Sequence, residues 1–200
     1  MNQYFKMKSE VFNMNQVKAH QPVVGVMLGT NRTARIGAAV AEWAMTALQS
    51  ARYDLQLIDL ATVKLPFLDE PDVPAHGHYQ QPSTQAFAQS IAACDGLILV
   101  FPQYNWGYPA VLKNALDTVY AEWQDKSVGT IIYGRHTFQA DIAIRLVLAG
   151  LGMRQLATNV GCQLQSTTTK ATVAADFKPF EPLVQAMGDE MALQLAHAAH

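Results

Sequence analysis

Two short stretches of this chain carry side chains suited to chemistry. The first is "GTNRTARIG", Gly29 to Gly37. Thr30 and Asn31 offer short polar groups there, and the Arg32 and Arg35 guanidinium groups can form charge-assisted bonds to phosphate oxygens; the alternative is an ordinary polar turn whose arginines are solvated. The second is "FPQYNWGYPAVLKNALDTVYAEW", Phe101 to Trp123, in which Tyr104, Trp106 and Tyr108 crowd together between Pro102 and Pro109. The backbone N–H groups of Asn105, Trp106 and Gly107 are expected to lie outside regular structure. A flat heterocycle with edge carbonyls and ring nitrogens can take those donors while the aromatics shield it. The alternative, that Tyr104 and Trp106 only plug the top of their own scaffold, stays open at this level.

A phosphate loop needs a strand before it and a helix behind it, so that free N–H groups and the positive end of the helix dipole face the anion. Both are legible. "VVGVMLG" (Val23 to Gly29) is a short apolar run that reads as a strand buried on both faces. "IGAAVAEWAMTALQS" then puts Ile36, Val40, Trp43 and Ala47 on one helical stripe, with Ala44 and Leu48 beside it. "YDLQLIDL" (Tyr53 to Leu60) reads as a second strand, followed by a long connection, 61–81, containing Pro66, Pro71 and Pro74. A connection of that length in a compact domain is usually functional.

Further on, Ser83 is expected to cap a helix running to about Ala93, and "LILVFP" (Leu97 to Pro102) is a buried third strand. Pro109 suits the first turn of the next helix. That helix packs Leu112, Leu116, Val119, Tyr120 and Trp123, and Lys113 and Asp117 form a solvated i,i+4 pair outside. "SVGTIIYG" (Ser127 to Gly134) is the fourth strand. A helix from about Phe138 to Leu151 carries Ile142, Leu146 and Ala149 as its stripe. "LATNVGCQLQ" is the fifth strand, and the last helix runs from Glu181 to Ala198, entered near Pro182.

This alternation predicts an α/β fold, a five-stranded parallel sheet covered by helices on both sides. Ligands in such sheets bind at the C-terminal ends of the strands, beside a switch in strand order. Three loops are thereby selected: Gly29 to Ile36, Pro102 to Tyr108 and Gly134 to Thr137. The first loop is neither the dinucleotide glycine fingerprint nor a Walker loop.

Composition narrows the function classes. Half of the 200 residues are hydrophobic and few are charged, which suits one domain, 22–200, behind a polar extension, 1–21, that is either partly disordered or an upstream start. A net charge of −2 with scattered basic residues argues against a nucleic-acid partner. No apolar run reaches the roughly 18 residues of a membrane span, and no secretory signal stands out, so a cytoplasmic location is expected. Cys94 and Cys162 read as small buried hydrophobes in a reducing compartment. His76 and His78 form a short pair without a third or fourth ligand at compatible spacing, so no metal site is expected. Ser, His and Asp residues are too scattered for a hydrolytic triad.

"PQYNWGYPAVLKNALD" resembles the P-x-Y-N-x-x-x-P-x-x-L-K-N-x-x-D signature of the NADPH-dependent FMN reductase family, the flavodoxin-like quinone and azo-dye reductases. "GTNRTARIGAAVAEW" resembles that family's G-[ST]-x-R phosphate loop, and the similarity runs from about Val23 to Gln165. The resemblance implies a flavodoxin-like three-layer sandwich and an FMN phosphate held by Thr30, Arg32, Arg35, Ile36 and Gly37. It implies an isoalloxazine ring against Pro102, Gln103, Tyr104, Asn105 and Trp106, with Gly134 matching the third loop. It further implies NADPH or NADH as co-substrate, hydride passing through flavin N5 to a quinone, azo compound or similar acceptor, no protein acid–base pair, and a homodimer or tetramer.

One departure stands out. The family's third loop reads Y-G-G-x-x-G-G, whereas this chain has "YGRHTFQAD", with Arg135, His136 and Thr137 after the matching Tyr133 and Gly134. Two rival readings remain: a flavodoxin-like electron carrier, and a regulatory module lacking flavin. The near-neutral charge and the K-N-x-x-D helix favour the reductase.

Overall fold

The computed structural model describes residues 21–50 and 52–198; the extension, 1–20, lies outside them. Six strands, β1 (Val23–Leu28), β2 (Asp54–Asp59), β3 (Gly96–Pro102), β4 (Ser127–Gly134), β5 (Arg154–Gln155) and β6 (Val160–Gln163), form one parallel sheet. The order is β2-β1-β3-β4-β5, with β6 continuing beside β4. The chain thus leaves β1 in one direction to build β2 and returns to β1's other side with β3. That reversal opens a crevice between the C-terminal ends of β1 and β3, where the topology expects a ligand.

β3 and β4 are buried along their whole length, as their continuous apolar runs require. The expected single fifth strand is split. Val128 pairs with Gln155 and Ile131 with Val160, so four residues of the edge face two of β4. The detour keeps its hydrogen bonds. The Leu156 N–H donates to the Val128 carbonyl at 2.8 Å, and Thr130 Oγ1 donates to Asn159 Oδ1 at 2.8 Å. Glu190 takes the N–H groups of Ala157 and Thr158 at 2.7 and 2.9 Å. Every polar backbone group so satisfied removes the penalty that an interrupted ladder would otherwise carry.

Five helices of two turns or more cover the sheet: α1 (Gly37–Leu48), α2 (Pro82–Ala92), α3 (Ala110–Thr118), α4 (Phe138–Gly150) and α5 (Glu181–Ala198). Side chains alternate across the strands into two cores. Val24, Val26, Ile98, Val100 and Ile131 meet α1 and α5 on one face. Met27, Leu97, Leu99, Phe101 and Ile132 meet α2, α3 and α4 on the other. α1 buries Val40, Trp43, Ala44 and Leu48, close to the expected stripe.

Three expectations change. α2 opens at Pro82 with Gln81 as the residue before it, so Ser83 lies inside the first turn rather than at the cap. Proline at the first helical position needs no N–H partner. α4 buries Ala140, Ile144 and Leu148, while Ile142 and Leu146 face solvent, 49% and 76% exposed. Both sets recur every four residues, so periodicity alone identifies a stripe without saying which one meets the sheet. α3 stops at Thr118, and Trp123 reaches the core from a 3₁₀ turn beyond it.

The long connection after β2 is built rather than loose. The Asn114 side chain donates to the Pro66 carbonyl at 2.7 Å, and Tyr79 donates to Glu122 at 2.8 Å, docking the connection along α3. Cys94 and Cys162 are buried and unpaired, and burial pushes the Cys162 thiol up to about 12. Among the described residues no helix is long and apolar enough to cross a membrane.

Candidate functional site

The loop after β1 runs directly into α1, and no side chain caps that helix. The first N–H groups of an α-helix have no partner inside it, so here they remain as donors at the positive end of the dipole. Thr30 is buried, and its hydroxyl lies 3.2 Å from the Tyr104 hydroxyl, which ties the first loop to the second. Arg35 does different work. Its guanidinium bonds to both carboxylate oxygens of Asp59, at 2.7 and 2.5 Å, and also to the Thr30 carbonyl. The hydrogen bonds that Arg35 donates to Asp59 raise its pKa above the ordinary range. Arg32 is exposed and, among the described residues, has no ion-pair partner. Of the two arginines, Arg32 is therefore the one whose charge is free to meet an anion.

Gly37, the first residue of α1, lies against β4. A Cβ there would stand 2.6 Å from the Tyr133 hydroxyl and 2.7 Å from Thr30 Cγ2, so any larger residue must displace the loop or the helix. Burial pushes the Tyr133 phenol well above its ordinary range, and Arg35 and Arg32 only partly offset that. It stands as a neutral hydroxyl beneath the loop.

The aromatic loop is a tight reversal. Tyr104 and Gly107 exchange backbone hydrogen bonds of 2.9 and 2.8 Å, while Asn105 and Trp106 sit at φ 45° and 67°. Two successive positive φ values are those of a type I′ turn, normally given to glycine or asparagine. A bulky Trp in that region is strained, as ligand clamps often are. The N–H of Gly107 is thus committed to Tyr104, contrary to the expectation from sequence, whereas those of Asn105 and Trp106 lie at the tip. Trp106 is 69% exposed and does not plug the sheet.

Gln103 is spent on the scaffold. Its side-chain oxygen accepts the Ala140 N–H at 2.9 Å and its amide donates to Gln139 at 3.2 Å, so it caps α4. In the third loop Gly134 is buried, and Arg135 and His136 are exposed.

These loops enclose one cavity of about 330 Å³. Arg32, Arg35 and Ile36 line it from the first loop, and Pro102, Gln103 and Tyr104 from the second. Tyr133, Gly134 and Arg135 come from the end of β4, and Leu164 and Thr168 from beyond β6. Of the residues expected at the site, Thr30 and Gly37 are buried as packing, and Asn105 and Trp106 follow Tyr104 in the turn without lining the cavity. Asp59, Leu164 and Thr168 are not flagged by the sequence, and Tyr133 enters there only as a match to the third-loop motif. Asp59 ends a strand on the ligand side, a placement that could have flagged it; Leu164 and Thr168 belong to no motif. A larger cavity, about 990 Å³, runs between α1 and β2. None of the loops after β1, β3 and β4 lines it, so the smaller one is the better candidate.

The cavity's size falls at the low end of small-molecule sites, roughly 300–1,000 Å³. Its donor set fits FMN: an uncapped helix N-terminus and an unpaired arginine suit a phosphate, and the turn's N–H groups suit a ring edge. The Asp72, His76 and His78 side chains, on the connection after β2, also meet. That corrects the expectation that the histidine pair lacks a third ligand group.

The strand order, with a cavity at the C-terminal ends of β3 and β4, defines a flavodoxin-like α/β protein. The family model described as NADPH-dependent FMN reductase matches residues 22–164, and the chain belongs to that family. An NAD(P)H-dependent FMN reductase of Schizosaccharomyces pombe is 39% identical over 118 residues, 58% of this chain and 59% of that protein. The chain therefore spans less than two thirds of that relative. An NAD(P)H-dependent FMN reductase of Saccharomyces cerevisiae is 32% identical over 143 residues, 65% of this chain and 75% of that one. Among solved structures, the flavoenzyme NAD(P)H:(acceptor) oxidoreductase FerB of Paracoccus denitrificans superposes with a TM-score of 0.63, covering 88% of this chain and 98% of FerB. At 18% identity that is a likeness of fold.

Proposed function

We propose that the protein is an FMN-dependent NAD(P)H oxidoreductase whose acceptor is a quinone, an azo compound or another small flat molecule. The observation that carries this reading is the convergence of three loops on one cavity. FMN, when bound, supplies the two-electron chemistry between nicotinamide and acceptor, so the protein's part is binding, orientation and electrostatics. Arg32 and the free N–H groups of α1 hold the phosphate. Arg35, Asp59, Thr30 and Tyr104 keep the first two loops in register. Asn105 and Trp106 offer backbone donors at the tip of the turn that follows Tyr104.

The test is the flavin itself. Protein purified or reconstituted with excess flavin should release FMN on denaturation, and should oxidise NAD(P)H faster when a quinone is present. FAD, or no flavin after reconstitution, would overturn the reading. Bound FMN without NAD(P)H turnover would point instead to an electron carrier.

A further inference from the structure

We propose that Asp72, His76 and His78 form a binding site for a divalent cation of the zinc class, on the connection between β2 and α2. The three residues follow the spacing D-x-x-x-H-x-H, and the backbone between them reverses sharply. Pro74–His76 form a 3₁₀ turn, closed by the Gly77 N–H on the Pro74 carbonyl at 3.0 Å. Gly77 sits at φ 70° with open space around it, a conformation that favours glycine. The reversal brings both imidazoles onto one carboxylate. His76 Nδ1 lies 2.8 Å from Asp72 Oδ1, and His78 Nδ1 lies 3.1 Å from Asp72 Oδ2. One ligand atom from each residue falls within 4.8 Å of the others.

Those separations suit coordination. With zinc–ligand bonds of about 2.0–2.2 Å, two ligands on one ion stand roughly 2.8–3.6 Å apart at octahedral to tetrahedral angles. The Asp72–imidazole separations of 2.8 and 3.1 Å fall in that range. Two imidazoles and one carboxylate are also the donor types that zinc and its transition-metal neighbours take, whereas calcium and magnesium favour oxygen throughout. The carboxylate is oriented from behind, because the Val73 N–H donates to Asp72 Oδ1 at 2.8 Å. The site is open to solvent, leaving room for water as a further ligand.

An ion here would act on the connection rather than on the reaction. Glu70 already closes this segment by accepting the Gln80 and Gln81 N–H groups at 2.7 and 3.0 Å. A cation joining Asp72 to His76 and His78 adds a second closure inside the first. None of the three residues lines the cavity between the strand ends.

The experiment uses untagged, full-length protein loaded with Zn²⁺, dialysed against metal-free buffer and assayed for metal per chain, with affinity measured by titration calorimetry. One Zn²⁺ per chain is expected. Asp72→Asn, His76→Gln and His78→Gln should each weaken it by about tenfold or more. The double histidine variant should lose it, and His197→Gln should not change it. X-ray absorption at the zinc edge should show two imidazoles in the ion's shell, a readout independent of how any variant folds. Proteolytic nicking within 70–81 should slow when Zn²⁺ is added to wild type. The proposal fails if wild type retains no zinc, if the double variant retains as much as wild type, or if the absorption spectrum shows no imidazole.

Discussion

In the loop after β1, the Arg35 guanidinium reaches from the Thr30 carbonyl to the Asp59 carboxylate, and the Thr30 hydroxyl meets Tyr104. In the loop after β4, Arg135 and His136 stand exposed, and the Arg135 carbonyl takes only a 3.4 Å bond from Gln163. Both loops bring an arginine to the same cavity. One arginine is consumed in holding backbone in place; the other contributes charge without shaping anything. The difference predicts that substitutions of Arg35 act through geometry, on fold and ligand together. Those in the third loop should act through electrostatics alone.

The largest effect should come from Arg35→Ala. The pair with Asp59 is 15% exposed on each side, and removing one partner leaves a largely buried carboxylate without its counterion. Breaking a fully buried pair costs about 3–5 kcal/mol, and partial solvation here reduces that to about 2–3 kcal/mol of unfolding free energy. Because the loop itself loosens, FMN and riboflavin should both bind more weakly. Denaturant unfolding and titration of each flavin check this. Unchanged stability together with loss of FMN binding alone would make Arg35 a direct phosphate ligand and erase the contrast.

Arg32→Ala should fall next. Its side chain is exposed and has no ion-pair partner among the described residues, so the fold should hold. Loss of one charge-assisted bond to phosphate should weaken FMN by about 1.5–3 kcal/mol. Riboflavin, which has no phosphate, should bind wild type and variant alike. Equal weakening of both flavins would make Arg32 structural and leave the phosphate to α1 alone.

Most of the scaffold was legible because its signals are local. Continuous apolar runs bounded by Gly and Pro mark β1, β3 and β4, and strand-end position alone selects the three loops. What stayed hidden depends on contacts distant in sequence. The Arg35–Asp59 pair joins two strand ends, and nothing in "GTNRTARIG" says which arginine is spent on it. The two apolar stripes of α4 are equivalent until the sheet chooses one. Asp72 is not legible from the His-x-His spacing, because only the backbone reversal carries both rings back to it.

The smallest effect belongs to Arg135→Gly, which restores the family's expected glycine. The side chain is exposed and forms no ion pair among the described residues, so stability should change by no more than about 0.5 kcal/mol. Its charge nevertheless faces the cavity. Solvent screening limits a charge in that position to about 0.5–1 kcal/mol on a bound anion. A cation near the flavin favours its reduced, more negative form, so removing it should lower the two-electron potential. At about 1.4 kcal/mol per 30 mV, the expected drop is roughly 10–20 mV. The measurement is the potential of fully FMN-loaded variant against wild type, at low and at high salt. Screening should shrink the difference as salt rises. A shift that ignores salt, or one accompanied by a loss of stability, would mean that Arg135 shapes the loop after all, and the two arginines would then differ in degree rather than in kind.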